Sequence, residues 1–306
     1  MRILVTGSDG FVGRHLCAHL RGRGDEVAEA RGPVPHPDGD PLRIDVTDAA
    51  RVRATVKAAA PEGVIHLAGF ASVGKSHQDP SLAFRVNALG AVNLLTAVRD
   101  EVPAARVVLV GSGESYGAIS PGTRATEELP LVPASPYAAG KVAAEIAAAQ
   151  FQRSYGLHVV CARPFNHLGR GQDPGFVVPS MAAQIQAIRR GEAPAVLQVG
   201  NLEPWRDFSH VEDVVAAYRL LLEKGEAGAA YNICSGEGRT IRSVIDELVA
   251  LAGVELRIEV DASRVRAVEI PYLVGDPAKL ERLGWRRSHS VREALTQVLE
   301  EHARRS

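Results

Sequence analysis

Tyr137 and Lys141 stand four residues apart in a stretch that reads as helix, so their side chains share one face. An ammonium beside a phenol favours the phenolate and is expected to lower the Tyr137 pKa. Such a tyrosine exchanges a proton with a carbinol or ketone near neutral pH. Ser112, in Gly111-Ser112-Gly113-Glu114-Ser115-Tyr116-Gly117, follows an apolar strand run and would hydrogen-bond the same oxygen. Lysine is scarce, five residues against thirty arginines, yet one of the five falls at this spacing.

A proton donor for a ketone needs a hydride donor beside it. Thr6-Gly7-Ser8-Asp9-Gly10-Phe11-Val12-Gly13 follows a strand and opens a helix, the context a dinucleotide fingerprint requires. Gly7 makes the tight turn, Gly10 lets a pyrophosphate reach the backbone, and Gly13 lets the helix lie close. Phe11 and Val12 stand at the helix N-terminus, which attracts phosphate. An acid ending the second strand would bind the 2′-hydroxyl of NAD. Arg31 is there instead, with Glu29 too early, which favours NADP(H) with NAD(H) as the alternative. Asp45 is expected at the carboxyl end of a strand, either reaching the adenine or capping the helix at 48.

The elements that position these residues alternate. Strands are expected at 3–5, 26–30, 63–67, 106–110 and 158–162, with helices at 11–22, 48–60, 82–99 and 136–155. Continuous Val/Ile/Leu runs mark strands buried on both faces. The fold class is therefore α/β, a doubly wound parallel Rossmann sheet with a smaller C-terminal α/β domain. Residues 1–165 form the dinucleotide domain and 166–306 the substrate domain, with chain crossings between them. In the second part we expect helices at 177–190, 211–224, 240–252 and 290–304, and strands near 195–199, 231–234 and 255–260.

The 306 residues carry 35 basic and 36 acidic side chains. A net charge of −1 argues against nucleic acid or a membrane surface as partner. Cys17, Cys161 and Cys234 lack the spacing of a disulfide framework or a thiolate zinc site. The ten histidines give no metal pattern, so no metal is expected. His66 reads as a core or supporting residue, and Trp205 and Trp285 as packing residues. No apolar run is read as reaching the roughly 18 residues of a span, and structure starts at once at the N-terminus. The expected location is the cytoplasm.

Taken together, these stretches resemble the extended short-chain dehydrogenase/reductases that act on nucleotide sugars. The resemblance rests on Thr6–Gly13, Asp45, His66-Leu67-Ala68-Gly69, Val86-Asn87, the Ser112 loop, Tyr137–Lys141 and Arg163-Pro164-Phe165-Asn166. Trp205-Arg206-Asp207-Phe208 with Val211-Glu212-Asp213, and Gly275-Asp276 with Gly284-Trp285, extend it through the second half. Within that family the chain is most similar to the GDP-4-keto-6-deoxy-D-mannose reductases, which form GDP-D-rhamnose. The resemblance implies that Val46, Leu67, Ala68, Gly69 and Asn87 join Tyr137 and Lys141 around the cofactor. It implies that Asn166, Arg206, Arg266 and Glu269 face a GDP-sugar. It also implies a homodimer through a four-helix bundle built from helices 82–99 and 136–155.

One departure bears on the reaction. Related dehydratases place a Glu two residues after the triad Ser or Thr, usually with Ser or Asp between. That Glu removes a proton from the sugar, and the acid beside it helps expel the hydroxyl. Here Glu114 is present, as a base or as a group that only orients the sugar, but its neighbour is Gly113. A 4,6-dehydratase or a 4-epimerase with bound NAD(P) is thus the alternative to a 4-ketoreductase.

Overall fold

A computed structural model describes residues 1–32, 42–265 and 269–303. Strands β1 (Arg2–Thr6), β2 (Glu26–Ala30), β3 (Gly63–His66), β4 (Arg106–Val110) and β5 (Val159–Pro164) alternate with helices. The helices are α1 (Phe11–Gly22), α2 (Ala49–Ala59), α3 (Val73–Gln78), α4 (Pro80–Phe84), α5 (Gly90–Glu101) and α6 (Pro136–Tyr155). Then follow β6 (Asn166–Leu168), α7 (Val177–Arg189), β7 (Val196–Val199), β8 (Trp205–His210), α8 (Val211–Lys224) and β9 (Ala230–Ile233). The described chain ends through β10 (Gly238–Thr240), α9 (Ile241–Ala252), β11 (Arg257–Val260), β12 (Tyr272–Leu273), α10 (Ala278–Arg282) and α11 (Val291–Ala303).

Six strands pair in parallel in the order β2-β1-β3-β4-β5-β9. One face packs on Leu16 and Leu20 of α1 and on Val214, Tyr218 and Leu221 of α8. The other packs on Val52 and Val56 of α2, Leu94 and Val98 of α5, and Ala144, Ala148 and Phe151 of α6. Both faces are thus covered, as the unbroken Val/Ile/Leu runs require. The strand order reverses between β1 and β3, a switch point of the kind beside which open α/β sheets take their ligands.

The second half does not stay apart. Helix α8 and strand β9 bring the chain back to complete the main sheet. The remaining elements build a smaller unit, with β8 between β10 and β12, β6 on β8, and β7 paired to β11. Its core lies among α7, α9 and α11.

Strand β8 has no counterpart among the expected strands. Its Arg206, Asp207, Ser209 and His210 are buried but polar, so no apolar period marks it. Asp207 accepts from Ser235 N (2.7 Å), Ser235 Oγ (2.6 Å), Gly236 N (2.9 Å) and Gly275 N (3.3 Å). These bonds satisfy the carboxylate and clamp the β9–β10 turn to the segment after β12. Nor is Asp45 at a strand end: only an isolated bridge, Arg31 to Arg43, lies there. Asp45 accepts from Thr47 N (2.9 Å) and Thr47 Oγ1 (2.8 Å), and Asp48 caps α2 instead.

The expected helix 82–99 is longer. Asp79 caps it, Pro80 starts it, and a π-turn at Arg85–Leu89 joins α4 to α5. By length and composition alone Pro80–Glu101 is apolar enough to cross a membrane, although Arg85 and Asn87 interrupt its apolar run. Here it packs against α2 and α6. Helix α6 matches its expected bounds because both ends are signalled. Ser135 accepts from Ala138 N (3.1 Å), Pro136 opens the first turn, and Gly156 (φ 69°) closes the last.

Candidate active site

The glycine-rich turn is dictated by clearance. Gly7 has φ 69°, and a Cβ there would stand 2.9 Å from Ala68 N. At Gly13 a Cβ would meet Gly7 O at 2.2 Å, so α1 rests directly on the turn. Gly10 precedes α1 without a side-chain cap, leaving the first N–H groups of Phe11 and Val12 for a ligand. The fit to a pyrophosphate is therefore good. The Phe11 ring lies between His15 (5.4 Å) and His167 (6.0 Å). Arg14 Nη2 donates to Gly171 O (3.0 Å), tying α1 to the loop that leads into the smaller unit.

The loop after β3 closes the next wall. Thr6 Oγ1 pairs with His66 Nδ1 (2.7 Å) and accepts from Ala68 N (3.2 Å). Burial, with the Lys141 charge nearby, pushes the His66 pKa down to about 3, so the ring is neutral. Buried Asn87 accepts from Phe70 N (2.8 Å) and donates to Phe70 O (3.2 Å), which pins residues 67–70. A Cβ at Gly69 would lie 3.0 Å from Asn87 Oδ1 and 3.1 Å from Lys141 Nζ. Leu67, Ala68, Gly69, Asn87 and Lys141 thus meet in one corner. Val46 is buried against Gly90, and its carbonyl accepts from Asn93 Nδ2 (2.9 Å).

Helix α6 brings the reactive side chains to that corner. Its start is docked by Ser76 of α3, whose Oγ accepts from Tyr137 N (3.2 Å). Lys141 is buried and donates to Val110 O (2.8 Å) at the end of β4. Ser112 is two residues on, and its hydroxyl bonds to Tyr137. Ser112, Tyr137 and Lys141 are therefore one cluster.

The charge states differ from the sequence expectation. Tyr137 is not lowered: burial pushes it up to about 12, against the Ser112 hydrogen bond and with the Glu114 charge. The Lys141 ammonium is turned to the Val110 carbonyl and does not offset that burial. Burial brings Lys141 itself down to about 8, opposed by Glu145. Tyr137 is thus a phenol at neutral pH, a proton donor rather than a phenolate.

The Gly113 departure has a steric cause. A Cβ at 113 would stand 2.9–3.0 Å from three carbons of the Phe165 ring. Phe165 fills the place of any side chain between Ser112 and Glu114, and Glu114 remains half-buried.

The other expected residues are spread along the seam with the smaller unit. Asn166 is exposed at the start of β6, opposite Phe208. Arg206 is buried, and its Nη1 donates to Trp205 O (2.9 Å) and Ile270 O (2.7 Å). Glu269, next to Ile270, accepts from Asn201 Nδ2 (2.8 Å), so Arg206 and Glu269 share one segment. Arg266 lies outside the described residues. Arg31 is exposed and pairs with Glu29 (3.2 Å). Trp285 is buried and donates to Asp213 O (3.0 Å), whereas Trp205 is exposed beside Tyr272 rather than packed inside. Among the described residues no cluster of His, Cys, Asp and Glu is suited to a metal.

The sequence reading passed over Glu145, although it is the single acid in an Ala-rich helix, four residues past Lys141. It also passed over Ser76, for which no local signal exists.

The family profile described as GDP-mannose 4,6 dehydratase matches residues 4–298. The GDP-6-deoxy-D-mannose reductase of Pseudomonas aeruginosa is 38% identical over 300 residues, covering 97% of this chain and 96% of that one. The structure of RMD from Pseudomonas aeruginosa complexed with NADPH superposes with a TM-score of 0.90 at 36% identity, over 100% and 99% of the two chains. Thermus thermophilus UDP-glucose 4-epimerase with NAD gives 0.89 at 34% identity, over the whole of both.

Proposed function

We propose that this chain, which belongs to the GDP-mannose 4,6-dehydratase family of extended short-chain dehydrogenase/reductases, is a nucleotide-sugar 4-ketoreductase. Its substrate is GDP-4-keto-6-deoxy-D-mannose and its product GDP-D-rhamnose. The observation that carries this reading is the convergence of Ser112, Tyr137 and Lys141 beside the glycine-rich turn at the ends of β1, β3 and β4.

A nicotinamide cofactor, NADP(H) before NAD(H), supplies the hydride when bound. Gly7, Gly10, Phe11, Val12 and Gly13 hold its pyrophosphate, and Arg31 a 2′-phosphate. Asp45 and Val46 lie toward the adenine, and Leu67, Ala68, Gly69, Asn87 and Lys141 toward the nicotinamide ribose. Ser112 orients the ketone oxygen. Tyr137, held as a phenol, gives that oxygen its proton as negative charge develops. Lys141, one turn on, meets the tyrosinate left behind once its ammonium leaves the Val110 carbonyl. Asn166, Arg206, Arg266 and Glu269 face the GDP-sugar, and Glu114 orients the hexose.

Glu114 favours a second reading, 4,6-dehydration or 4-epimerisation with cofactor retained. The Phe165 ring against Gly113 opposes the dehydratase, because no acid fits beside Glu114. The test is purified protein with GDP-4-keto-6-deoxymannose and NADPH. Oxidation of one NADPH per sugar reduced supports the reductase. Turnover without net oxidation supports the second reading, and no oxidation of NADPH or NADH ends the first.

We also infer a homodimer through a four-helix bundle. Phe84, Leu89 and Ile146 are exposed on the two helical stretches concerned, and such large apolar side chains suit a covered face. The three free, buried cysteines suit a reducing cytoplasm.

A further inference from the structure

Glu145 stands one turn beyond Lys141 on α6, as Lys141 stands one turn beyond Tyr137. It is 6% exposed, in a helix whose inward positions are otherwise mostly Ala and Gly. A buried carboxylate at such a place needs a partner. It has one in Arg163 of β5, whose Nε lies 3.0 Å and Nη2 2.8 Å from Oε2. Arg163 Nη1 goes on to Tyr116 OH (2.8 Å), and Tyr116 donates to Asn232 Oδ1 (2.7 Å).

The same face of α6 holds the strand exit that carries Ser112. Lys141 Nζ donates to Val110 O at 2.8 Å. At the next residue, Gly111, a Cβ would stand 2.4 Å from Glu145 Oε1. Lys141 and Glu145 therefore bear on two consecutive residues immediately before Ser112. Only glycine lets the carboxylate come so near.

A buried ammonium is costly in a low-dielectric site, and a carbonyl dipole alone offsets little of that cost. His66 from β3 and Glu145 from α6 act on Lys141, Cys161 and Arg163 from β5 face Glu145, and Tyr116 from the turn after Ser112 joins through Arg163. Burial keeps His66, Cys161, Tyr116 and Tyr137 neutral near pH 7. Arg163 is engaged by Glu145 and Tyr116. Glu145 is the anion that opposes the loss of the Lys141 proton.

We propose that Glu145 is a positioning residue for the reaction: paired with Arg163, it keeps Lys141 an ammonium and fixes the Val110–Ser112 exit against α6. The proposal rests on the reading of Tyr137 and Lys141 as proton donor and partner.

Five lysines make the test direct. In full-length protein carrying 13Cε-labelled lysine, the Lys141 resonance is the one lost in Lys141→Arg, and its titration is followed by NMR. In Glu145→Gln its midpoint is expected to fall by about one pH unit or more, a tenfold or greater loss of proton affinity. The alkaline limb of kcat/KM falls with it, and Glu145→Asp restores both in part. If Glu145→Gln does not fold, the double variant Glu145→Gln/Arg163→Gln replaces it, with a fall in the same direction but smaller, because the Arg163 cation leaves with the anion. An unchanged Lys141 midpoint in the folded variant overturns the proposal, even if the melting temperature drops. The titration uses neither sugar nor cofactor. A chain that shows the fall but reduces no sugar therefore loses the functional reading and keeps the control of the Lys141 charge by Glu145.

Discussion

The ring of Phe165 occupies the space that a Cβ on Gly113 would need, at 2.9–3.0 Å from three ring carbons. Gly113→Ala should therefore overpack the turn and cost on the order of 1–3 kcal/mol. Trimming the ring in Gly113→Ala/Phe165→Leu should recover part of that cost. A double-mutant cycle by denaturant unfolding should give a coupling of at least about 0.5 kcal/mol. Simple additivity would mean the two residues do not exclude each other.

Tyr137→Phe removes the hydroxyl proposed as proton donor but keeps the ring. We expect kcat to fall by roughly 10²–10⁴. NADPH affinity, measured by fluorescence titration, should stay within a few-fold. Turnover at the wild-type level would remove Tyr137 from the chemistry.

The charge on Lys141 gives a stability signature. Its folded pKa is lowered to about 8 from 10.5, so between those values the unfolded chain binds more protons. This group's contribution to stability therefore rises with pH across that window. At neutral pH the burial of the charge costs on the order of 3 kcal/mol. Urea midpoints of wild type should rise relative to Lys141→Met between about pH 8 and about pH 9.5, below the ordinary tyrosine range. Parallel curves would show that Lys141 is not the source.

Arg31 decides the cofactor if it meets a 2′-phosphate. Arg31→Glu should raise the KM for NADPH about tenfold or more while leaving NADH less affected. An unchanged ratio of the two kcat/KM values would leave Arg31 as a surface partner of Glu29 only.

Ile146 is 65% exposed and Phe84 42% exposed. If these helices form the dimer face, Ile146→Glu/Phe84→Glu should sediment as a monomer with its secondary structure intact. A wild-type chain that already sediments as a monomer would sink the assignment.

The middle of the sheet was legible because Ile3-Leu4-Val5 of β1 and Val107-Val108-Leu109-Val110 of β4 are unbroken apolar runs buried on both faces. Helix α6 was legible to the residue because Ser135, Pro136 and Gly156 announce its ends. Strand β8 was not, since Arg206, Asp207, Ser209 and His210 are buried through hydrogen bonds that only the folded chain supplies. The Tyr137–Lys141 pair followed from spacing and Ser112 from its place after a strand run, whereas the charge on Tyr137 did not. Spacing reports adjacency, but burial and the direction of the Lys141 ammonium set the balance. Arg206 and Glu269 lie 63 positions apart and meet only through the Ile270 carbonyl and the segment around it.

The return of α8 and β9 to the main sheet has a consequence for biosynthesis. A nascent chain that has emerged only as far as residue 210 lacks the helix that covers Val108, Val110 and Val160, and lacks the strand that pairs with β5. Its main sheet is left with an open apolar face and an unpaired parallel edge. The larger unit therefore cannot be completed on the ribosome before part of the smaller one has been made, and a cut at residue 165 yields a fragment prone to stick to its own kind.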